Sequence, residues 1–322
     1  MNNGYIGHIS QLYGVEEHRL VGGKKDGMRI LEIKNGLGLE MTVSLDRGGD
    51  ISRLIVNGKN LGYFSPCGYV HPSYYDDKGT GFLKSFTAGF LTTCGLAAVG
   101  APCIDEGETL PLHGSINNTP VEKYSYDIAD DEIVIFETVL DEVIFSHKLM
   151  LEREIHISLR DNSFSVKDKI TNRGDKEYPC MILYHMNMGY PLLSENSEIT
   201  IPSCEVVGRT PLANSELSLW NKMSKPTKDY EERCYFHKFN SESYASIYNK
   251  DINMGLKISF DKDNLKYFTE WKMMGYRDYV LGLEPGNCHP DGRDKMRKEG
   301  NLTVLKPDEK VEYFIKVETF TK

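Results

Sequence analysis

Apolar residues along the chain fall into short runs or strict alternations, each closed by Gly, Asn, Asp or Pro, and helical spacing is nowhere sustained. Residues 28–33 and 39–45 are two such runs joined by Lys34-Asn35-Gly36. Asp46-Arg47-Gly48-Gly49-Asp50 then turns the chain into 51–56, and Asn57-Gly58 is a hairpin dipeptide. Residues 133–136 are continuously apolar, 143–151 and 154–159 alternate, and Asp161-Asn162 separates the latter from 164–170, which predicts an antiparallel meander. Further strands are expected at 180–184, 199–202, 205–207, 246–248, 254–260, 265–271, 279–283 and 311–320; in the last, Val311, Tyr313, Ile315 and Val317 share one face. Many short strands with such turns specify an all-β sandwich or barrel with minimal helix.

Two segments break the pattern. Residues 64–112 are rich in glycine (79, 81, 89, 95, 100 and 107), which argues against a helix and marks a long irregular connection of the kind that often carries function. Residues 212–232 are polar and read as a surface excursion, with a helical turn within 214–220. No internal repeat or linker divides the chain, so one domain is expected over 1–322.

The 322 residues carry a net charge of −9 with 40% hydrophobic and 26% charged side chains, the profile of an ordinary soluble protein and a poor one for a nucleic-acid surface. No apolar run approaches a membrane span, and Met1-Asn2-Asn3-Gly4 has none of the marks of a signal peptide, so a cytoplasmic location is expected. The seven cysteines (67, 94, 103, 180, 204, 234 and 288) are odd in number and widely spaced without a CxxC, which fits reduced thiols better than disulfides or zinc.

Three stretches carry candidate chemistry. Cys180-Met181-Ile182-Leu183-Tyr184 delivers His185 just before Gly189 and Pro191, a rigid placement for a group that moves a proton near neutral pH. His113-Gly114 closes the long irregular segment. Glu284 follows Leu281-Gly282-Leu283, with Pro285 expected to stop the strand, so its carboxyl should be partly desolvated and raised toward the range of a general base. Each also fits a plain structural role: His185 capping a sheet edge, His113 bonding to loop backbone, Glu284 paired with an arginine such as Arg293. Together they form either an acid–base pair with an orienting group or a site for a divalent metal. His147 and His156 read as structural. No P-loop, dinucleotide fingerprint, Gly-x-Ser-x-Gly elbow or His-Glu-x-x-His helix is present.

The stretches Thr92-Thr93-Cys94-Gly95-Leu96, Leu112-His113-Gly114, Leu183-Tyr184-His185-Met186-Asn187-Met188-Gly189-Tyr190-Pro191-Leu192-Leu193 and Leu283-Glu284-Pro285-Gly286-Asn287 resemble the aldose 1-epimerase (galactose mutarotase-like) superfamily, in a poorly characterised bacterial aldose epimerase-like branch. The resemblance covers nearly the whole chain and implies a large antiparallel β-sandwich that interconverts sugar anomers by ring opening, without a cofactor. By motif match Glu284 would be the base and His185 the acid, while His113 would orient the sugar. The chain departs from true mutarotases in two places. Phe86-Thr87-Ala88-Gly89-Phe90 lacks the arginine expected before the first histidine, and Phe236-His237-Lys238-Phe239 keeps a histidine but loses a substrate-binding aspartate. Arg209, His237, Trp271, Lys272 and Asn287 are candidates for the remaining sugar contacts, with ordinary sheet packing the alternative for Trp271.

The expected function is therefore a carbohydrate epimerase acting on a free aldose or sugar derivative. One alternative is a metal-dependent sugar isomerase, epimerase or lyase using His113, His185 and Glu284, with His289 nearby. The other is a carbohydrate-binding protein without turnover. The expected partner is a small carbohydrate, with no nucleic acid and no membrane; exposed edge strands allow a homodimer.

Overall fold

Alternation of buried and solvent-facing side chains builds two large antiparallel sheets in the computed structural model, which describes residues 4–322. The larger has eight strands in the order Val121–Ile128, Glu132–Glu142, Lys148–Ser158, Ser163–Asn172, Lys310–Phe320, Met254–Phe260, Tyr244–Asn249 and Ser197–Thr200. Its register stacks apolar residues across neighbours, as in Ile155 opposite Val166 and Val166 opposite Ile315. The smaller has six: Glu205–Gly208, Arg233–Lys238, Tyr267–Met274, Tyr279–Gly286, Met181–Met188 and Leu91–Leu96. A five-stranded sheet at the start of the chain, from Gly14–Arg19 to Lys59–Asn60, adds Leu31, Met41 and Leu54 to the same core. This is the expected β-sandwich.

The inner faces of the large sheets also share a polar cluster. Arg153 is buried and donates to both oxygens of Asp168 at 2.8 and 2.7 Å and to Asp50 at 3.1 Å, while the Tyr184 hydroxyl donates to Asp168 across the sheets at 2.8 Å. A buried guanidinium is tolerated because its charge is matched and most of its donors are used.

The sequence reading is corrected in four places. Residues 91–96, inside the segment expected to be irregular, form a fully buried strand at one edge of the six-stranded sheet. Residues 143–147 are a turn, and 148–158 continue as one strand rather than two. Pro285 does not stop its strand, which runs to Gly286; Pro285 lies opposite Phe268. Two short α-helices appear: Pro211–Ser215, opened by a Thr210 cap, and Arg293–Lys298. No helix among the described residues is long and apolar enough to cross a membrane.

Candidate active site

His185 lies within the strand Met181–Met188, opposite Thr92, and is not at the strand end. All eight residues of this strand are buried, which explains its unbroken apolar character: one side faces the inter-sheet core and the other is roofed by loops. Even-numbered Tyr184 and Met186 join the core, so His185 faces the opposite way. Glu284 reaches the same side from the adjacent strand, opposite Thr269 of the next.

Two glycines make this placement possible. A Cβ on Gly282, two residues before Glu284 and on its face, would lie 2.2 Å from Glu284 Oε1. Gly282 therefore supplies the space in which the carboxylate rests. His113 has a φ of 59° and Gly114 one of 73°. A Cβ on Gly114 would meet the Gly95 carbonyl oxygen at 2.1 Å, so the turn packs directly on backbone. The His113 amide donates to the Gly100 carbonyl at 2.9 Å, and its carbonyl accepts from the Gly95 amide at 3.1 Å. A side chain from the irregular segment is thereby fixed beside the sheet.

His185 Nε2 lies 3.2 Å from Glu284 Oε1. The rings of His113 and His185 meet edge-on at 5.7 Å, and Trp271 packs on the other edge of His185 at 5.2 Å. Among the described residues, four buried polar atoms here have no hydrogen-bond partner: His113 Nδ1, His185 Nδ1, Thr269 Oγ1 and Glu284 Oε1. Buried polar atoms are normally satisfied, so a cluster of unsatisfied ones around one cleft marks where a polar ligand belongs. Burial, reinforced by the nearby Glu232 charge, pushes the Glu284 carboxyl well above the usual carboxylate range. Burial lowers His185 to about 4, and burial with the neighbouring His185 and Arg209 lowers His113 to about 3. Of the two, Glu284 therefore holds its proton to higher pH than His185 does.

These side chains line a cleft of about 300 Å³. Arg209 and Glu232 sit at its edge with Cys234, and Phe82, Phe86 and Leu112 form a wall. Glu232 accepts from Trp271 Nε1 at 2.8 Å, and Arg209 donates to Asp291 at 2.8 Å and to the Pro290 carbonyl at 3.2 Å. Behind the Gly100–Pro102 rim, Arg293 is buried and binds Asp105 and Glu108, each at 2.6 Å, and Arg297 also holds Asp105 at 2.8 Å. Arg293 is therefore a clamp between the helix Arg293–Lys298 and the hairpin 103–110, and does not pair with Glu284.

Of the sequence candidates, the structure brings His113, His185, Arg209, Trp271 and Glu284 to this cleft. His237, Lys272 and Asn287 do not line it. His237 and Lys272 have the opposite strand parity to Cys234 and Trp271 and point inward. His237 contacts Ser203 Oγ at 2.7 Å and Glu270 at 3.1 Å, and Lys272 donates to the Leu219 and Lys222 carbonyls. Asn287 bridges the Cys180 carbonyl and the Tyr313 hydroxyl, joining backbone and sheets. Glu232 and Thr269 were missed. Glu232 fell at the end of the supposed surface excursion, although it shares the parity of Cys234; Thr269 becomes visible only through its register with Glu284.

No group of three or more His, Cys, Asp or Glu side chains among the described residues is arranged to hold a metal ion. His289 is stacked on Phe236 at 4.0 Å and is not among the cleft's lining residues. A wider depression of about 560 Å³ crosses the eight-stranded sheet; solvated Lys and Glu rows, such as Lys169 and Glu152 at 2.7 Å, line most of it, and Glu137, whose two buried carboxyl oxygens have no partner, also borders it but without a histidine.

The fold has known counterparts. A candidate aldose 1-epimerase from Klebsiella pneumoniae superposes with a TM-score of 0.90 at 28% identity, covering 98% of this chain and 86% of that one. A galactose mutarotase-like protein from Clostridium acetobutylicum gives 0.70 at 15% identity, covering 97% and 100%. The galactose 1-epimerase of Lactobacillus acidophilus gives 0.64 at 11%, covering 96% and 99%. The last two likenesses bear on the fold alone. No curated protein matches the sequence. Residues 25–319 match the model of a family described as Domain of unknown function (DUF4432). The chain belongs to that family, and its architecture is the galactose mutarotase-like β-sandwich.

Proposed function

We propose that the protein is a carbohydrate epimerase that interconverts the anomers of a free aldose, with Glu284 and His185 as its acid–base pair. The observation that carries this reading is the cleft itself: a carboxyl and an imidazole 3.2 Å apart, each with an unsatisfied buried atom. Anomer exchange needs one group to take a proton from the C1 hydroxyl and another to give one to the ring oxygen, and a closely spaced pair with a single proton meets that demand.

The sequence of events is as follows. Sugar hydroxyls entering the cleft supply hydrogen bonds to Glu284, which stabilise its carboxylate and favour passage of its proton to His185, 3.2 Å away. Glu284 then takes the proton of the C1 hydroxyl while the C1–ring oxygen bond breaks and His185 protonates the ring oxygen. The open-chain aldehyde rotates about C1–C2. Reversal of the two transfers closes the ring on the other face. His113 and Thr269 hold hydroxyls through their free atoms, and Trp271 offers a ring face to the sugar's C–H surface.

Proton NMR of freshly dissolved α-anomers from a panel of aldoses tests the reading. Faster approach to anomeric equilibrium with the protein than without is expected for at least one sugar. Uncatalysed rates across the panel, with sugar binding intact, would instead favour a binding protein without turnover.

A further inference from the structure

The cleft is chemically two-sided. Its unsatisfied polar atoms all lie toward the sheet and the His113 turn. The facing wall is apolar: Phe82, Leu83, Phe86 and Leu112 on one side, Ala101 and Pro102 on the other. Phe82 and Phe86 pack together at 5.1 Å, with Leu112 against them, so this wall is a small hydrophobic cluster of its own.

The acid–base assignment fixes which part of a sugar meets which side. With Glu284 at the C1 hydroxyl and His185 at the ring oxygen, the next atom beyond the ring oxygen is C5, and its substituent lies past His185 on the side away from Glu284. Trp271, the cross-strand partner of Gly282, covers the Glu284 side. The other side of His185 meets the edge of Phe86 at 5.4 Å, and Phe82 lies against His113 at 5.3 Å. With His113 Nδ1 taken by a ring hydroxyl, a C6 hydroxyl packed on the Phe82 and Phe86 rings would find no partner in them, whereas a methyl group would be accommodated. A charged C6 substituent fits no better, because Arg209 is already paired with Asp291 and the cleft carries two carboxyl groups, Glu232 and Glu284.

Resting on the epimerase reading above, we propose that the substrate is a neutral 6-deoxyhexose, whose C5 methyl group packs on the Phe82–Phe86 wall. The test compares sugars that differ only at C6: D-fucose with D-galactose, L-rhamnose with L-mannose, and 6-deoxy-D-glucose with D-glucose. Anomer exchange is followed by NMR, and affinity is measured on the same pairs by saturation-transfer titration. For the recognised configuration, the deoxy sugar should show kcat/KM higher by about 10- to 100-fold, the usual discrimination an apolar pocket makes against an added hydroxyl or lost packing. Leu83→Asn, at a position 55% exposed and so harmless to folding, should narrow that ratio by admitting a hydroxyl partner. Equal kcat/KM within each pair, or preference for the parent hexose, would overturn the proposal and leave the epimerase reading standing. If no sugar exchanges faster, the epimerase reading falls. In that case tighter binding of the deoxy partner would still support the apolar subsite, and equal or absent binding would end it.

Discussion

The six-stranded sheet carries two buried His–Glu pairs with almost the same spacing and opposite character. His185 and Glu284 stand 3.2 Å apart, and His237 and Glu270 stand 3.1 Å apart. Glu270 and Glu284 sit on neighbouring strands, one register step from facing each other, because Glu270 is opposite Leu283 and Glu284 opposite Thr269. That single step places one pair in the inter-sheet core and the other at the floor of the cleft. In the core pair both ring nitrogens of His237 are engaged, by Ser203 and Glu270. In the cleft pair His185 Nδ1 and Glu284 Oε1 have no partner. Glu270 Oε1 is also without a partner, so burial, distance, residue type and a free carboxyl oxygen do not separate the two; a free ring nitrogen beside a cavity does.

The largest expected contrast is in turnover. Glu284→Gln and His185→Asn should each slow anomer exchange by about 10²–10⁴-fold with sugar binding retained, the usual loss on removing a general acid or base. Glu270→Gln, matched in chemistry, should leave kcat within a few-fold of the parent. Loss of turnover in Glu270→Gln with an unchanged melting curve would erase the distinction. Next comes Gly282→Ala. Its methyl group would need the space of Glu284 Oε1, at 2.2 Å, so the carboxyl must move. A displacement on the order of 1 Å costs roughly 10²-fold in rate, and urea titration should show the fold intact. Third, His237→Ala should destabilise the fold by about 3–5 kcal/mol, since it leaves a buried carboxyl without its partner. His185→Ala opens onto a cavity and should cost less in the same titration.

The smallest effect concerns pH. The cleft pair works while it holds one proton. Protonation of His185 near pH 4 removes the base as pH falls, and loss of the last proton from Glu284, raised by burial, removes the acid as pH rises. The rate should therefore rise above about pH 4 and fall on the alkaline side only above the range of an ordinary carboxylate. An alkaline limb already within the ordinary carboxylate range, at about 4.3, would overturn the assignment of that limb to a desolvated Glu284.

Much of this arrangement was readable from the chain. The alternating patterns of 164–170 and 311–320 gave strands that pair directly, and His113, His185 and Glu284 meet in space as their combined motif implied. What the sequence obscured was parity and continuity. His237 and Lys272 are close in number to Cys234 and Trp271 yet face the other way, because successive side chains on a strand point to opposite faces. Pro285 looked like a terminator, but its place opposite Phe268 lets the strand continue. Residues 91–96 read as loop because their glycine and threonine content hides a strand buried on both sides. Glu232 was hidden for a different reason: its role depends on the Trp271 indole 39 residues away, a contact that only folding creates.

The clamp behind the cleft has a kinetic meaning. Arg293 joins the helix Arg293–Lys298 to the hairpin 103–110, and Arg209 ties the other edge to Asp291, itself bonded to Lys295 at 2.5 Å. One rim is thus stapled at several points before any sugar arrives, so little ordering entropy is left to lose on binding. A reaction whose substrate and product differ only in the configuration of one carbon gains from such a site. Under the proposed anomer exchange, neither anomer would wait for that rim to form or to part, and one should enter and the other leave at closely matched rates.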